Sequence, residues 1–396
     1  MKISIITDFY GNDLTYIENE LAKQYIKFGF EVFVICSVTD NPFDFYSHNY
    51  YTKKASVEVH NGIKIYRQPY KLNIKKRIKS FKDVYSILSS EKPDFIFFNG
   101  VHLNLKDAVR FKKEKECKII LYSEADYSNS AQNWLSLNIL HKIVWKGILN
   151  RYKKNIYKIF FATPASSKFL NEVYDLPLNE AELLPLGCDC SISDDIINTI
   201  DRGVVRKKLN INNDDYVLIT GGKLEIRKMT EIAIEAVKVL NRKDVHLIVF
   251  GAPASGSEEY FKELEKSADG HQIHFTGWLT SDMFYEFMAI SDVAVFPASQ
   301  SVLWQQAIGM RLPLVAGDAG EQDMSYLNFN ENIIKINKDN IIPIKFAETI
   351  EQIISVPGKL DKMKKGAEKT ARENLSYEII AKKAIGGLIY SLIYII

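Results

Sequence analysis

Residues 216–240 read YVLITGGKLEIRKMTEIAIEAVKVL: an apolar run, Gly221-Gly222, Lys223 and Lys228, then an apolar-periodic stretch. The run 216–220 predicts a buried strand and residues 229–241 predict a helix. Glycines permit close backbone approach, a helix start offers free N–H groups, and the two ammonium groups suit a diphosphate. The expectation is an anion site at a strand-to-helix turn. A plain solvated loop would read the same way from these residues alone.

Outward from that stretch the alternation continues. Strands are expected at 245–250, 273–275, 293–296 and 314–315, with helices near 257–268, 281–290, 302–310, 343–356 and 377–395. Toward the N-terminus, 1–7 and 30–36 read as buried strands flanking a helical face made by Leu14, Ile17, Leu21, Ala22, Tyr25 and Ile26. Residues 57–66 alternate around Asn61-Gly62, a strong hairpin signal. Apolar runs follow at 94–98, 117–122 and 158–162, with helices expected near 72–90, 104–115, 131–152 and 166–174. The sheets should be mostly parallel. A polar stretch from Gly187 to Gly203 breaks the pattern and is the best linker candidate. Two consecutive α/β units emerge, so a crevice between domains is the default site.

With 396 residues, 46% hydrophobic and 25% charged, the chain is a globular protein with material for two or three domains, not a fibre or a disordered tail. The net charge of +2 names no partner, but residues 51–160 carry 23 basic and 9 acidic side chains while the rest of the chain is net negative. Such asymmetry points to an anionic partner surface. Cys36, Cys117, Cys188 and Cys190 lack zinc-site spacing and read as reduced thiols. No stretch reaches the ~20 apolar residues of a membrane span, and the opening run is too short for a signal peptide.

A second chemical stretch runs from Phe296 to Val315. A strand ends at Pro297, a small polar loop with Ser299, Ser301 and Val302 follows, then a short helix, then a Pro313-led strand. Hydroxyls and backbone N–H groups there suit phosphate, and Gln305 or Gln306 suits a sugar hydroxyl. Trp304 reads more simply as core. His102, at another strand end, reads first as an ordinary loop residue and second as a ligand contact. No histidine cluster or Asp-x-Asp pair occurs, so a catalytic metal is not expected.

Taken in order, Gly222-Lys223-Leu224, Lys228, Gly251, Gly277-Trp278, Ser291 through Pro297, and Gln306-Ala307 before Pro313 resemble a GT-B glycosyltransferase of the retaining nucleotide-sugar transferases called family 4. Tyr16, Glu18, Leu21-Ala22 and Gly29 through Val32 resemble that family's opening unit, and Leu184 through Asp189 resembles the phrase before its second domain. The likeness spans roughly residues 1–390. It implies two doubly wound Rossmann-like domains facing each other across a cleft. The expected boundaries are 1–190 for the acceptor domain, 204–375 for the donor domain, and a C-terminal helix 376–396 packing back toward the first.

The resemblance also implies roles. Lys223, in place of the family's arginine, and Lys228 would clamp the donor diphosphate and stabilise the leaving group without a metal. Gly11, Gly222 and Gly251 would let backbone approach the donor. The Gly277-Trp278 backbone would border the base, and Gln306 would grip the ribose where the family has a glutamate. Ala298 stands where the family has its other glutamate, a departure that leaves the sugar grip open. Glu124 stands where the family often has a histidine; it or Asp126 would orient the acceptor or act as base, with His102 nearby. Retention, by front-face attack assisted by a diphosphate oxygen, follows from the family alone.

The expected function is therefore hexosyl-type transfer from a UDP- or GDP-sugar to a hydroxyl of a glycan or lipid-linked glycan in cell-surface polysaccharide synthesis. The nucleotide sugar is a substrate, and no cofactor is expected. Alternatives are an epimerase of the same architecture or a degenerate nucleotide-sugar-binding scaffold. Two basic groups, Lys71, Lys75, Lys76, Arg77, Lys79 and Lys82, and Lys142, Lys146, Arg151, Lys153, Lys154 and Lys158, interleave with apolar residues at helical spacing, which suits anionic lipid. The expected location is cytoplasmic, at the inner face of a membrane. No nucleic-acid module accompanies the charge.

Overall fold

The computed structural model describes residues 1–12, 14–46, 54–268, 272–298, 301–320 and 322–386. Two compact units divide the chain: Met1–Pro185 with the segment from Ile380 onward, and Leu186–Ile379.

Among the described residues the first unit holds ten strands: β1 (Lys2–Ile6), β2 (Glu31–Ser37), β3 (Ser56–His60), β4 (Ile63–Gln68), β5 (Tyr70–Ile74), β6 (Ile78–Phe81), β7 (Phe95–Asn99), β8 (Lys118–Ser123), β9 (Lys158–Phe161) and β10 (Ala181–Leu183). Eight form one sheet in the order β10-β9-β8-β7-β1-β2-β4-β3. Every pairing in it is parallel except β3 with β4. Ile3, Ile5, Ile96, Phe97, Ile120 and Leu121 are buried, as expected for strands covered on both faces. Asn61 and Gly62 take φ of 48° and 80°, so the short β3–β4 turn winds with the strand twist. The chain steps from β1 to β2 on one side and later to β7 on the other, so the switch in strand order falls between β1 and β7.

The second unit carries β11 (Tyr216–Leu224), β12 (Val245–Pro253), β13 (Ile273–Gly277), β14 (Val293–Phe296), β15 (Leu314–Asp318) and β16 (Ile333–Asn337). Their order is β13-β12-β11-β14-β15-β16, all parallel. Its switch point lies between β11 and β14. Helices Thr230–Leu240 and Pro343–Ser355 pack Ile234, Val237, Phe346 and Ile350 onto one core with Leu218, Val249 and Val295. The fold is GT-B: two Rossmann-like units with mainly parallel sheets.

Several expectations change. Residues 72–90 are not one helix: β5 and β6 form a hairpin whose turn places Lys75 and Lys76 at φ 49° and 57°, and only Val84–Glu91 is helical. The Asn73 side chain accepts from the Lys76 N–H and closes that turn. The supposed linker contains two capped helices. Asp189 accepts from the N–H groups of Ser191 and Ile192 to start Cys190–Thr199, and Asp201 accepts from Val204 N–H to start Arg202–Lys208. Strands β10 and β16 and helix Lys359–Thr370 were not anticipated. The last described helix is Tyr377–Ile385; expected helix beyond residue 386 lies outside the described residues. Lys382 Nζ lies 5.7 Å from the Phe28 ring centre, so the returning segment touches the first unit's own helix face.

Candidate functional site

In the second unit the glycines lie inside the strand, not in a turn after it. β11 and β12 stay paired through Gly221↔Phe250, Gly222↔Gly251 and Lys223↔Ala252. Gly251, at φ 116°, approaches so closely that a Cβ there would lie 1.8 Å from the Gly222 carbonyl oxygen. A Cβ on Gly222 would meet Leu303 at 3.0 Å, so this backbone runs against the helix Leu303–Gly309 that follows β14. The carboxyl ends of β11 and β14 thus present the lysine loop and the residue-301 loop on the two sides of the switch point, where doubly wound sheets take ligands.

After β11 a single turn, Ile226–Lys228, leads into helix Thr230–Leu240. Lys223 is exposed and Lys228 half-buried. Burial lowers the pKa of Lys228, and the cations of Arg227 and Lys223 lower it further while Glu225 opposes them. Crowded ammonium groups of this kind are relieved by an anion. Arg227 turns aside, its Nε 2.6 Å from Glu225 Oε1.

The other donor candidates differ in character. Gly277 ends β13 at φ 71° and Trp278 after it is 71% exposed, a bare indole at the same edge of the sheet. Ser301 Oγ accepts from the Leu303 N–H at 3.3 Å and Val302 is exposed. Ser299 lies outside the described residues. Gln306 is committed at both ends of its amide: Oε1 accepts from Tyr285 OH at 3.1 Å and Nε2 points to the Gly187 carbonyl at 3.5 Å. Gln305 is buried, its amide facing Tyr326 OH, which removes it as a sugar contact. Ala298 and Trp304 are buried. A cavity of about 710 Å³ at the amino end of this sheet is a different feature. Its Arg206 already donates to Ile290, Asn213, Asp215 and Asp292, so its charge is internally matched.

In the first unit, Glu18 stands at the switch point. It lies in the first turn of helix Ile17–Lys27 and is 4% exposed, with Thr7 Oγ1 donating to Oε1 at 2.9 Å and Asn99 Nδ2 donating to Oε2 at 3.1 Å. Burial pushes its pKa up to about 7 against those hydrogen bonds. It was not singled out from sequence as a site residue, yet the signal was there: Glu18 precedes Leu21, Ala22 and Tyr25 by three, four and seven residues, on the face the helix buries. Glu124, just past β8, keeps an exposed surface, and its pKa is also raised, first by surrounding protein, then by the Glu18 carboxylate, while Tyr122 lowers it. Solvent screens part of that effect; its direction is upward.

The remaining first-unit candidates are more structural. Asp126 Oδ1 accepts from Ser128 N–H, Ser128 Oγ and Asn129 N–H, which closes the loop after β8. His102 is buried, stacks on Phe98 with ring centres 4.3 Å apart, and is held neutral with its pKa near 4 by burial. Gly11 has its carbonyl bound by Asn19 Nδ2 at 2.9 Å, and a Cβ there would press on the Asp40 carbonyl and Leu14. Lys79 is not a surface cation: only 6% of its side chain is exposed, it pairs with Asp8, and the Phe9 and Phe45 rings flank it. Trp145, expected near a lipid-facing side, is core. Among the described residues no group of three or more His, Cys, Asp or Glu side chains could hold a metal, and no helix is long and apolar enough to cross a membrane.

Comparison with known proteins fixes the class of the second unit. The family described as Glycosyl transferases group 1 matches residues 201–370. That likeness, confined to residues 201–370, makes the enzyme class of the chain glycosyltransferase. Similar solved structures share the fold at low identity. Sucrose-phosphate synthase from Thermosynechococcus elongatus is 14% identical with a TM-score of 0.67, covering 100% of both chains. Anabaena Alr3699/HepE in complex with UDP-glucose is 15% identical with a TM-score of 0.64, covering 98% of this chain and 100% of that one. A glycosyltransferase from Rickettsia africae is 13% identical with a TM-score of 0.66, covering 99% of this chain and 98% of that one. No curated protein sequence matches this glycosyltransferase chain.

Proposed function

We propose that this glycosyltransferase moves a hexosyl-type group from a UDP- or GDP-sugar to a hydroxyl of a glycan or lipid-linked glycan in cell-surface polysaccharide synthesis, with retention at the anomeric carbon. One observation carries the donor half of the reading. Lys223 and Lys228 crowd the carboxyl end of β11, beside a glycine-paired backbone and across from the loop after β14. The cations would bind the diphosphate and hold the charge that develops on it as the glycosidic bond breaks, a task otherwise given to a metal. The exposed Trp278 would cover the base. The UDP-glucose complex of the Anabaena neighbour supports a uridine donor without selecting it.

The acceptor half rests on Glu124. It is an exposed carboxyl at the carboxyl edge of the first sheet, where it would orient the acceptor hydroxyl through a hydrogen bond and leave its proton to the diphosphate. Asp126 would shape the loop that carries it. Retention would proceed by attack on the sugar face that the diphosphate leaves, a diphosphate oxygen taking the acceptor proton.

A second reading has its own support: Ala298 offers no polar group and Gln306 is tied to Tyr285 and Gly187, as a nucleotide-binding scaffold without turnover would allow. Thermal stabilisation measured against UDP, GDP and their glucose, galactose, mannose and N-acetylhexosamine esters decides the donor question, because a ligand that binds only the folded state raises its melting temperature. The stabilising ester is then followed by product analysis with and without glycan acceptors. Transfer supports the proposal, epimer formation without acceptor replaces it, and binding without any turnover favours the scaffold. Absence of stabilisation by every nucleotide would overturn it.

A further inference from the structure

We infer that residues 134–152 form a docking face by which the first unit seats on an anionic lipid bilayer. Four large apolar side chains of this segment stand in solvent: Trp134 at 68% exposure, Leu135 at 66%, Ile139 at 42% and Ile143 at 61%. Their other neighbours on the helix, His141, Trp145 and Leu149, are buried, and His141 Nδ1 is fixed 2.8 Å from Tyr174 OH. The segment therefore has a settled inner side, and the exposed stripe is what remains outside. Ser136–Trp145 is a π-helix. Its i→i+5 hydrogen bonds bring residues four and five apart onto one face; Ile139 and Ile143 are four apart within it, and Leu135 and Trp134 stand four and five residues before Ile139, just ahead of it.

Charge identifies what covers the stripe. No Asp or Glu occurs between Asp126 and Glu172, an interval that contains Lys142, Lys146, Arg151, Lys153, Lys154, Lys158 and Lys168. Lys146, Lys153 and Lys158 pair with Asp175, Glu180 and Glu182, whereas Lys142, Arg151 and Lys154 are exposed. Exposed aliphatic and indole groups rimmed by cations match the acyl boundary and headgroup layer of an anionic membrane. A second copy of the chain is a poor occupant, because a two-fold contact through this stripe sets the same cations against each other.

The surface differs from the basic groups read off the sequence. The β5–β6 hairpin is not amphipathic helix, Trp145 faces inward, and the inserting residues are Trp134, Leu135, Ile139 and Ile143. The segment begins directly after the loop that holds Glu124 and Asp126. A lipid-anchored glycan would thus reach the acceptor carboxylates from the surface on which the unit rests. Only that last consequence depends on the proposed function; the docking itself does not.

The test uses the full chain and phosphatidylcholine vesicles with or without phosphatidylglycerol, in flotation at low and high salt. Expected is association at least about tenfold stronger with phosphatidylglycerol, weakened by salt, and reduced at least about tenfold by Ile143→Glu. Trp134→Phe should keep binding but lose most of the quenching of tryptophan emission by brominated acyl chains. Because all four side chains are exposed, circular dichroism and melting of the variants should match the parent. Indifference to phosphatidylglycerol, or Ile143→Glu floating like the parent, overturns the proposal. So does sedimentation showing a lipid-free dimer that Ile143→Glu dissociates, since the stripe would then be a contact between copies. None of these measurements involves a sugar, so failure here is separable from failure of the glycosyl-transfer reading.

Discussion

At the scale of single residues, Lys228 and Glu18 carry the most weight, for opposite reasons. Lys228 is crowded by like charge, and replacing it should be felt by the ligand more than by the fold. Lys228→Ala is expected to weaken UDP or GDP binding at least about tenfold, or ~1.4 kcal/mol, in calorimetry, with the melting temperature of the unliganded protein unchanged or slightly higher. Equal affinity in parent and variant would remove the diphosphate assignment. Glu18 is buried with a raised pKa, so the folded state binds its proton more tightly than the unfolded chain does. Its stabilising contribution is complete below the unfolded pKa near 4.5 and is lost as pH rises toward 7, up to about 3 kcal/mol in all. Glu18→Gln keeps the shape and abolishes the titration. The decline in urea midpoint between pH 4.5 and 7.5 should be visibly smaller in that variant than in the parent; identical profiles would show that Glu18 does not titrate there.

At the scale of elements, the β11–β12 pair and the helix caps make separate claims. Gly251 has no room for a methyl group, because the Gly222 carbonyl occupies its place, and its φ of 116° disfavours any side chain. Gly251→Ala should cost more than about 2 kcal/mol in chemical denaturation and blunt nucleotide binding with it. Asp201→Ala removes the cap of helix Arg202–Lys208 and should cost about 1 kcal/mol without touching the lysine loop. The same elements show what the amino-acid pattern could disclose. Buried parallel strands such as β1, β2, β11 and β14 are continuous apolar runs and were legible. The β5–β6 hairpin was not, because Leu72, Ile74, Ile78 and Phe81 also satisfy helical spacing, and a positive-φ pair at Lys75-Lys76 has no glycine to announce it. The polar stretch at 187–203 has the composition of a linker, and only the capping capacity of Asp189 and Asp201 distinguishes it from one. In the site, Lys223 and Lys228 were readable from glycines and cations in one short stretch. Glu18 was missed because its partners Thr7 and Asn99 meet it only through the strand order, 11 and 81 residues away along the chain.

At the scale of the molecule, each unit has its own sheet and its own buried core. Calorimetry of the whole chain should resolve two unfolding transitions, and a nucleotide that binds the lysine loop should raise one of them while leaving the other within error. A single transition raised as a block would show instead that the units melt together. The polypeptide leaves the first unit at Pro185 and re-enters it at Ile380, so the second unit is an insertion in sequence. On the ribosome this fixes an order of events. The inserted unit can finish folding while its host still lacks the closing helix, whose Ile380, Ala381, Ala384 and Ile385 are all buried. Stalled nascent chains ending before that helix should therefore shield the inserted unit from protease while leaving the host open to cleavage. The segment from Ile380 thus completes a unit most of which left the exit tunnel before the inserted one.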